Sequence, residues 1–220
     1  TLRNAPIARF QTSLQTCADL SRTGKVNRKT TNILLFAAAF LLALALPVMP
    51  SLLNNSGFYG MAIDEPGENL DGYQPPQNGL SVIFFGYRQC GTVCPVQLVN
   101  LMELSQLLDG AEVEFLFVTL DPENDTPEVL DQTMESLGKV FRFYRPETHR
   151  AAQKLASAYN DFAVKQGSSE DDLIAHSAHL HVVTGEFRRK LVYTTPSLNL
   201  ELVEQDLRRL LKDKNSESSK

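Results

Sequence analysis

The chain has 220 residues, 43% of them hydrophobic and 21% charged, and a formal net charge of −5. That balance excludes a disordered chain, a collagen-like repeat and a polytopic membrane protein. Three cysteines are too few to build a disulfide-stapled mini-domain, and the acidic total argues against a nucleic-acid partner, whose binders carry a basic surface.

Charge is unevenly distributed along the chain. Residues 1–53 hold Arg3, Arg9, Arg22, Lys25, Arg28 and Lys29 against the single acid Asp19, leaving 15 basic and 25 acidic residues beyond them. A basic N-terminal segment, 1–31, therefore precedes an acidic body. Between them, Ile33–Leu46 (ILLFAAAFLLALAL) contains no polar side chain, and the apolar character continues past Pro47 and Pro50 to Leu53. From Ile33 to Leu53 a helix would extend about 31 Å, enough to cross a bilayer. A helix with no polar face does not suit a globular surface, so residues 32–53 are expected to be a single transmembrane helix, with a cleaved leader as the competing reading. Lys25, Arg28 and Lys29 precede the span and keep the N-terminus inside, so the acidic body is exported and contacts membrane lipid only through its anchor.

Residues 54–79 are rich in Asn, Gly and Pro and read as linker or irregular structure. Leu80–Phe85 (LSVIFF) is a short apolar strand, followed by the loop Gly86-Tyr87-Arg88-Gln89-Cys90. Apolar positions from Val96 to Leu108 repeat at helical spacing, predicting a helix over Cys94–Leu108 with Pro95 in its first turn. Val113–Leu120 is apolar enough for a central strand. Asp121–Pro127 (DPENDTP) then makes a turn and a helix start, with Thr126 as N-cap and Pro127 at the first helical position. A helix to Leu137, a short strand near Val140–Phe143 and a helix over Thr148–Tyr159 follow. Leu180–Thr184 and Phe187–Tyr193 flank Gly185-Glu186 as a hairpin, and an amphipathic helix covers Leu198–Leu211. The pattern is an α/β sandwich with a mixed sheet, one domain over about 80–212, before a polar tail at 213–220.

Chemistry concentrates where the first strand ends. Cys90-Gly91-Thr92-Val93-Cys94-Pro95 puts two thiols on a loop and the first turn of a helix, where free N–H groups and the helix dipole favour thiolates. Three intervening residues let the sulfurs converge, to form a disulfide or to grip a soft metal ion. Buried apolar thiols are the plain alternative, and Cys17, across the membrane, reads as incidental. Four histidines are available as a further ligand. His149 reads as a solvated helix residue, His179 and His181 as packed or exposed sheet residues, and His176 lies at the mouth of the hairpin, where a loop could carry it to the strand end. Two thiolates and one imidazole suit Cu(I), whereas Zn(II) usually takes a fourth ligand. On residue chemistry alone, metal binding and metal-free thiol exchange remain equal candidates.

Three separated segments resemble one known family. Phe84–Pro95 (FFGYRQCGTVCP) is similar to the CxxxCP metal-site signature of the Sco/SenC proteins, Val118–Pro127 (VTLDPENDTP) to their DPExDTP segment, and His176-Ser177 to the histidine that completes their copper site. The likeness covers about residues 80–195. It implies a thioredoxin-like fold on a membrane anchor, with copper held by Cys90, Cys94 and His176. It further implies delivery of that copper to the binuclear centre of cytochrome c oxidase subunit II, or reduction of that target's cysteines, with Cys90 and Cys94 as the redox-active pair and a thioredoxin-like reductant as partner. The setting would be a bacterial inner membrane with a periplasmic domain, or a mitochondrial inner membrane facing the intermembrane space. The alternatives are an exported metal-free thiol-disulfide oxidoreductase and a redox or copper sensor or scaffold. Gly91-Thr92 stands where the family commonly has Pro-Asp, and Ala175 where it often has Asp, so a weaker outer shell around His176 is expected. Residues 57–79 lack clear versions of the family's opening strands.

Overall fold

The structure is a computed structural model, and it describes residues 32, 35–37, 39–42, 57–167 and 173–217. The chain divides into two compact units, Thr1–Asn55 and Ser56–Lys220. In the first, the described residues are helical, with Leu35, Phe36, Phe40, Leu41 and Leu42 exposed. Among the described residues no helix is long and apolar enough to cross a membrane. Most of the expected anchor over 32–53, and Cys17, lie outside the described residues.

The second unit is built around a six-stranded sheet. Its strands are β1 (Met61–Pro66), β2 (Leu80–Gly86), β3 (Val113–Thr119), β4 (Phe141–Tyr144), β7 (Leu180–Thr184) and β8 (Arg188–Tyr193), in the order β1-β8-β7-β2-β3-β4. β2 runs parallel to β3, and β3 to β4, while β2–β7, β7–β8 and β8–β1 are antiparallel, so the sheet is mixed as expected. β5 (Ala163–Lys165) and β6 (Ile174–His176) form a separate two-stranded ribbon. The helices are α1 (Val93–Leu107), α2 (Pro127–Leu137), α3 (His149–Ala158) and α4 (Leu200–Glu217).

Every residue of β2 and of β7 is buried, as a strand covered on both faces requires. Phe84 and Phe85 therefore point to opposite faces of the sheet. Phe84 meets Phe117 (ring centroids 6.1 Å) on the side where α1 and α2 pack, while Phe85 meets Tyr159 (5.5 Å), which follows α3 on the other side. The helix starts follow their caps. Thr148 Oγ1 accepts from Ala151 N at 3.2 Å to start α3, and Pro127 occupies the first turn of α2.

The segment 54–79 departs from the linker expectation, because β1 lies within it and pairs with β8. The residues of β1 are mostly exposed and carry no apolar alternation, so no local periodicity marks the strand. It is an edge strand held by backbone pairing and by charges. Asp64 Oδ1 meets Arg188 Nη2 at 2.9 Å and Lys190 Nζ at 2.8 Å, and Glu65 Oε2 meets Arg189 Nη1 at 3.4 Å. β5 and β6, three residues each, are too short for a periodic signal. They also correct the reading of His176, which ends a strand rather than riding on a loop.

Candidate metal centre

The centre is assembled at the end of β2. Strand pairing stops at Gly86, whose carbonyl accepts from Leu120 N at 2.7 Å, and the chain turns back through Cys90 N→Tyr87 O at 3.1 Å. Gly86 is required by proximity rather than by backbone angle. A Cβ built there would stand 2.8 Å from Cys94 Sγ and 2.9 Å from the Phe117 ring. α1 opens immediately after the loop with Thr92 at the N-cap and Cys94 in its first turn. The Thr92 hydroxyl caps no backbone N–H; it lies 3.6 Å from Cys90 Sγ instead.

His176 arrives from the ribbon. Its Nε2 stands 3.3 Å from Cys90 Sγ and 3.4 Å from Cys94 Sγ. One ligand atom from each of the three residues lies within 4.8 Å of the other two. Nδ1 is 2.7 Å from the carbonyl oxygen of Ser177. A carbonyl can only accept, so Nδ1 carries a proton and Nε2 is the atom turned to sulfur or metal. This backbone carbonyl orients the imidazole. The ring is further held by an edge contact to Tyr87 (5.7 Å) and a tilted contact to Phe84 (6.2 Å), and Tyr87 Oη accepts from Ile174 N at 3.2 Å, fixing the ribbon to the loop.

The two thiols are free, buried and electrostatically unequal. Burial raises the Cys90 thiol, but the Thr92 and Cys94 backbone N–H groups, His176 and the Thr92 hydroxyl outweigh it and bring the pKa down to about 6. At Cys94 burial wins, with the Cys90 charge adding to it, and the thiol is pushed far up despite a backbone contact at Tyr87. The expected thiolate character holds for Cys90 and is corrected for Cys94, which sits deeper against Gly86 and Phe117. An apolar cavity of about 210 Å³, lined in part by Leu98, Phe117, Leu130 and Met134, flanks both sulfurs. Gly91 and Thr92 are exposed and leave the opposite flank open to solvent.

Positioning residues lie outside the motif ligands. Asp125, fully buried, accepts from Thr119 Oγ1 at 2.6 Å and from Arg88 N at 3.2 Å, so the DPENDTP segment braces the cysteine loop from beneath. Burial raises the Asp125 carboxyl, and Thr119 and the Arg88 N–H only partly offset this. Arg145 Nη2 donates to Pro122 O at 2.7 Å. His149 is not the solvated residue expected. Its Nδ1 donates to Leu120 O at 2.7 Å, and its N–H donates to Glu123 Oε1 at 2.9 Å. Buried Gln97 on α1 donates to Ala178 O, two residues beyond His176, and accepts from Asn100 Nδ2 at 2.7 Å. None of these roles has a spacing signature except Asp125, whose position in a polar turn hid its burial.

His179 and His181 stay apart from the sulfurs. His181 is buried, with Nε2 3.1 Å from Asp161 Oδ2, and His179 Nδ1 lies 3.8 Å from Asp161 Oδ1. Burial lowers the His181 pKa despite the carboxylate beside it. Burial would raise Asp161, but bonds to His181 and Ser177 and the charges of both imidazoles hold it below the ordinary carboxylate range.

The SCO1/SenC family model matches residues 63–212, most of the chain. The chain belongs to the SCO1/SenC family. An SCO2-like protein of Rickettsia prowazekii is 26% identical over 126 residues, 55% of this chain and 60% of that protein. The chain thus spans less than two thirds of the length of the curated relatives it matches. The apo Sco1 protein of Thermus thermophilus, solved in solution, is 28% identical with a TM-score of 0.59, covering 70% of this chain and 96% of that one. The copper-bound ScoI of Bradyrhizobium japonicum shares the fold at 23% identity and a TM-score of 0.53, covering 61% of this chain and 86% of that one. The thioredoxin-like fold with a mixed sheet is thereby established for this SCO1/SenC member.

Proposed function

We propose that this SCO1/SenC domain binds Cu(I) through Cys90, Cys94 and His176 and passes it to the binuclear copper centre of cytochrome c oxidase. The observation that carries the reading is the convergence of two sulfurs and one imidazole nitrogen within 4.8 Å. Two soft sulfurs and a borderline nitrogen match Cu(I) in softness and in its tolerance of three ligands. The Cys90 thiolate is ready to ligate, and binding displaces the proton that burial holds on Cys94. The apolar wall formed by Leu98, Phe117 and Met134 keeps water from the sulfurs, while the exposed Gly91-Thr92 flank admits a target's cysteines for ligand exchange. Residues 32–53 tether the domain to a bacterial inner membrane with residues 80–212 on its outer side. The exposed apolar side chains of the described helical residues there support that tether.

A second reading is favoured by the charge asymmetry of the thiols. A nucleophilic Cys90 beside a protonated, buried Cys94 suits thiol-disulfide exchange, with Cys90 attacking and Cys94 resolving. In that role the pair reduces a disulfide between the target's cysteines to two thiols and is itself oxidised to a Cys90–Cys94 disulfide, to be reduced again by a thioredoxin-like partner. Anaerobic Cu(I) competition titration separates the two readings. Wild type should bind about one Cu(I), and Cys90→Ser, Cys94→Ser and His176→Ala should each weaken binding by about tenfold or more. Unchanged affinity in His176→Ala, with thiol exchange intact, would leave only the oxidoreductase.

A further inference from the structure

We propose that Asp161, His179 and His181 form a second metal site, one that takes a borderline divalent cation such as zinc(II) through two imidazole nitrogens and a carboxylate. The three residues come from two places in the chain. Asp161 follows α3 and Tyr159, whereas His181 lies in β7 and His179 immediately precedes that strand, their ring centroids 6.0 Å apart. The Phe85 ring is 5.9 Å from His181, while Phe84 faces His176, so this cluster lies across the sheet from the two cysteines. The sites share no ligand.

The spacing already approximates coordination. Ligands about 2.1 Å from a tetrahedral ion stand roughly 3.4 Å apart. The contacts here are 3.1 Å from His181 Nε2 to Asp161 Oδ2 and 3.8 Å from His179 Nδ1 to Asp161 Oδ1, and one ligand atom from each residue lies within 4.8 Å of the others. Asp161 is prepared for the task. Its Oδ1 also accepts from Phe162 N at 3.0 Å, which fixes the carboxylate orientation. Access is one-sided, because the side chains of Asp161 and His181 are 1% exposed and that of His179 is 25% exposed. The ion enters past His179, and water completes the coordination on that side.

Nitrogen and carboxylate donors without sulfur select borderline ions over Cu(I), so the two sites differ in metal preference. Two features keep the affinity below that of a dedicated structural zinc site. On binding, the proton leaves His181 Nε2 for Nδ1, a buried atom with no hydrogen-bond partner among the described residues, whereas zinc-bound imidazoles ordinarily donate from the second nitrogen. Arg189 also packs across Tyr159, although its guanidinium is turned to the Ala158 and Tyr159 carbonyls and to Glu65.

The test uses the full chain carrying Cys17→Ser, Cys90→Ser and Cys94→Ser, which removes every thiol. Calorimetric titration with zinc(II) at pH 7 should give about one equivalent, weakened about tenfold or more by His179→Ala and by Asp161→Asn, and unchanged by His176→Ala. Cobalt(II) should show d–d absorption with no thiolate charge-transfer band, lost in His179→Ala. The partly exposed His179 makes that variant safe for folding, with circular dichroism as the check. Absence of zinc binding, or binding lost with His176→Ala but kept with His179→Ala, overturns the proposal.

Discussion

Cys90 and Cys94 lie at one loop–helix junction, yet at pH 7 they carry different charges. Cys90 collects hydrogen bonds from two backbone N–H groups and lies beside His176, whereas Cys94 is packed against β2 beneath it. Because the thiolate is the nucleophile, alkylation of the reduced, metal-free protein by iodoacetamide should follow the Cys90 titration. With Cys17→Ser removing the third thiol, the rate should rise through about pH 6 and level off above about pH 7, with labelling stopping at a single cysteine below about pH 8. His176→Ala removes a bond that lowers the Cys90 pKa, so its midpoint should move upward. Equal labelling of both thiols, or a midpoint near the ordinary thiol value, would refute the asymmetry.

The element that matters most for the site is α1, because it carries Cys94 on one turn and Gln97 on the next. Gln97 reaches Ala178 O across the interior and so ties the helix to the segment that delivers His176. Asn100 extends the link to Pro196 O at 2.9 Å. Gln97→Ala leaves the Ala178 carbonyl without this partner and should cost about 1–3 kcal/mol, read as a lower urea midpoint at unchanged slope. Copper affinity should fall with it, since His176 loses its tie to the cysteine helix. A stability loss with copper affinity intact would make Gln97 a fold residue alone. The DPENDTP segment works in the same way from the other side. Asp125 grips Thr119 and Arg88 N, so its motif character reflects support of the cysteine loop as well as a helix start.

Over the whole molecule, stability is concentrated in β2, β3 and β7, and the sheet edge contributes little. Leu116 is fully buried at the centre of β3, and Met61 is 49% exposed on β1. Leu116→Ala should cost about 2–5 kcal/mol and Met61→Ala no more than about 0.5 kcal/mol, measured by urea unfolding of both variants. Comparable losses at the two positions would mean that the edge strand is integral to the cooperative core. Burial of the central strands also explains the placement of chemistry. Both side-chain clusters lie beside β2 and β7, one on each face, where the sheet provides a rigid floor and the polar groups must find partners.

Residue order alone determined the central strands, the four helices of the domain and the hairpin, because each is written in local periodicity, caps and turn residues that act within a few positions. It also marked Cys90, Cys94 and His176 as candidates, the sulfurs by spacing and the histidine by resemblance. β1 was illegible because an exposed edge strand is held by backbone pairing and by Asp64 and Glu65 contacts some 124 positions away in sequence. The unequal thiols, the Ser177 carbonyl that orients His176, and the meeting of Asp161 with His179 and His181 were decided by tertiary structure alone. Each depends on burial and on distances between segments that no local pattern records.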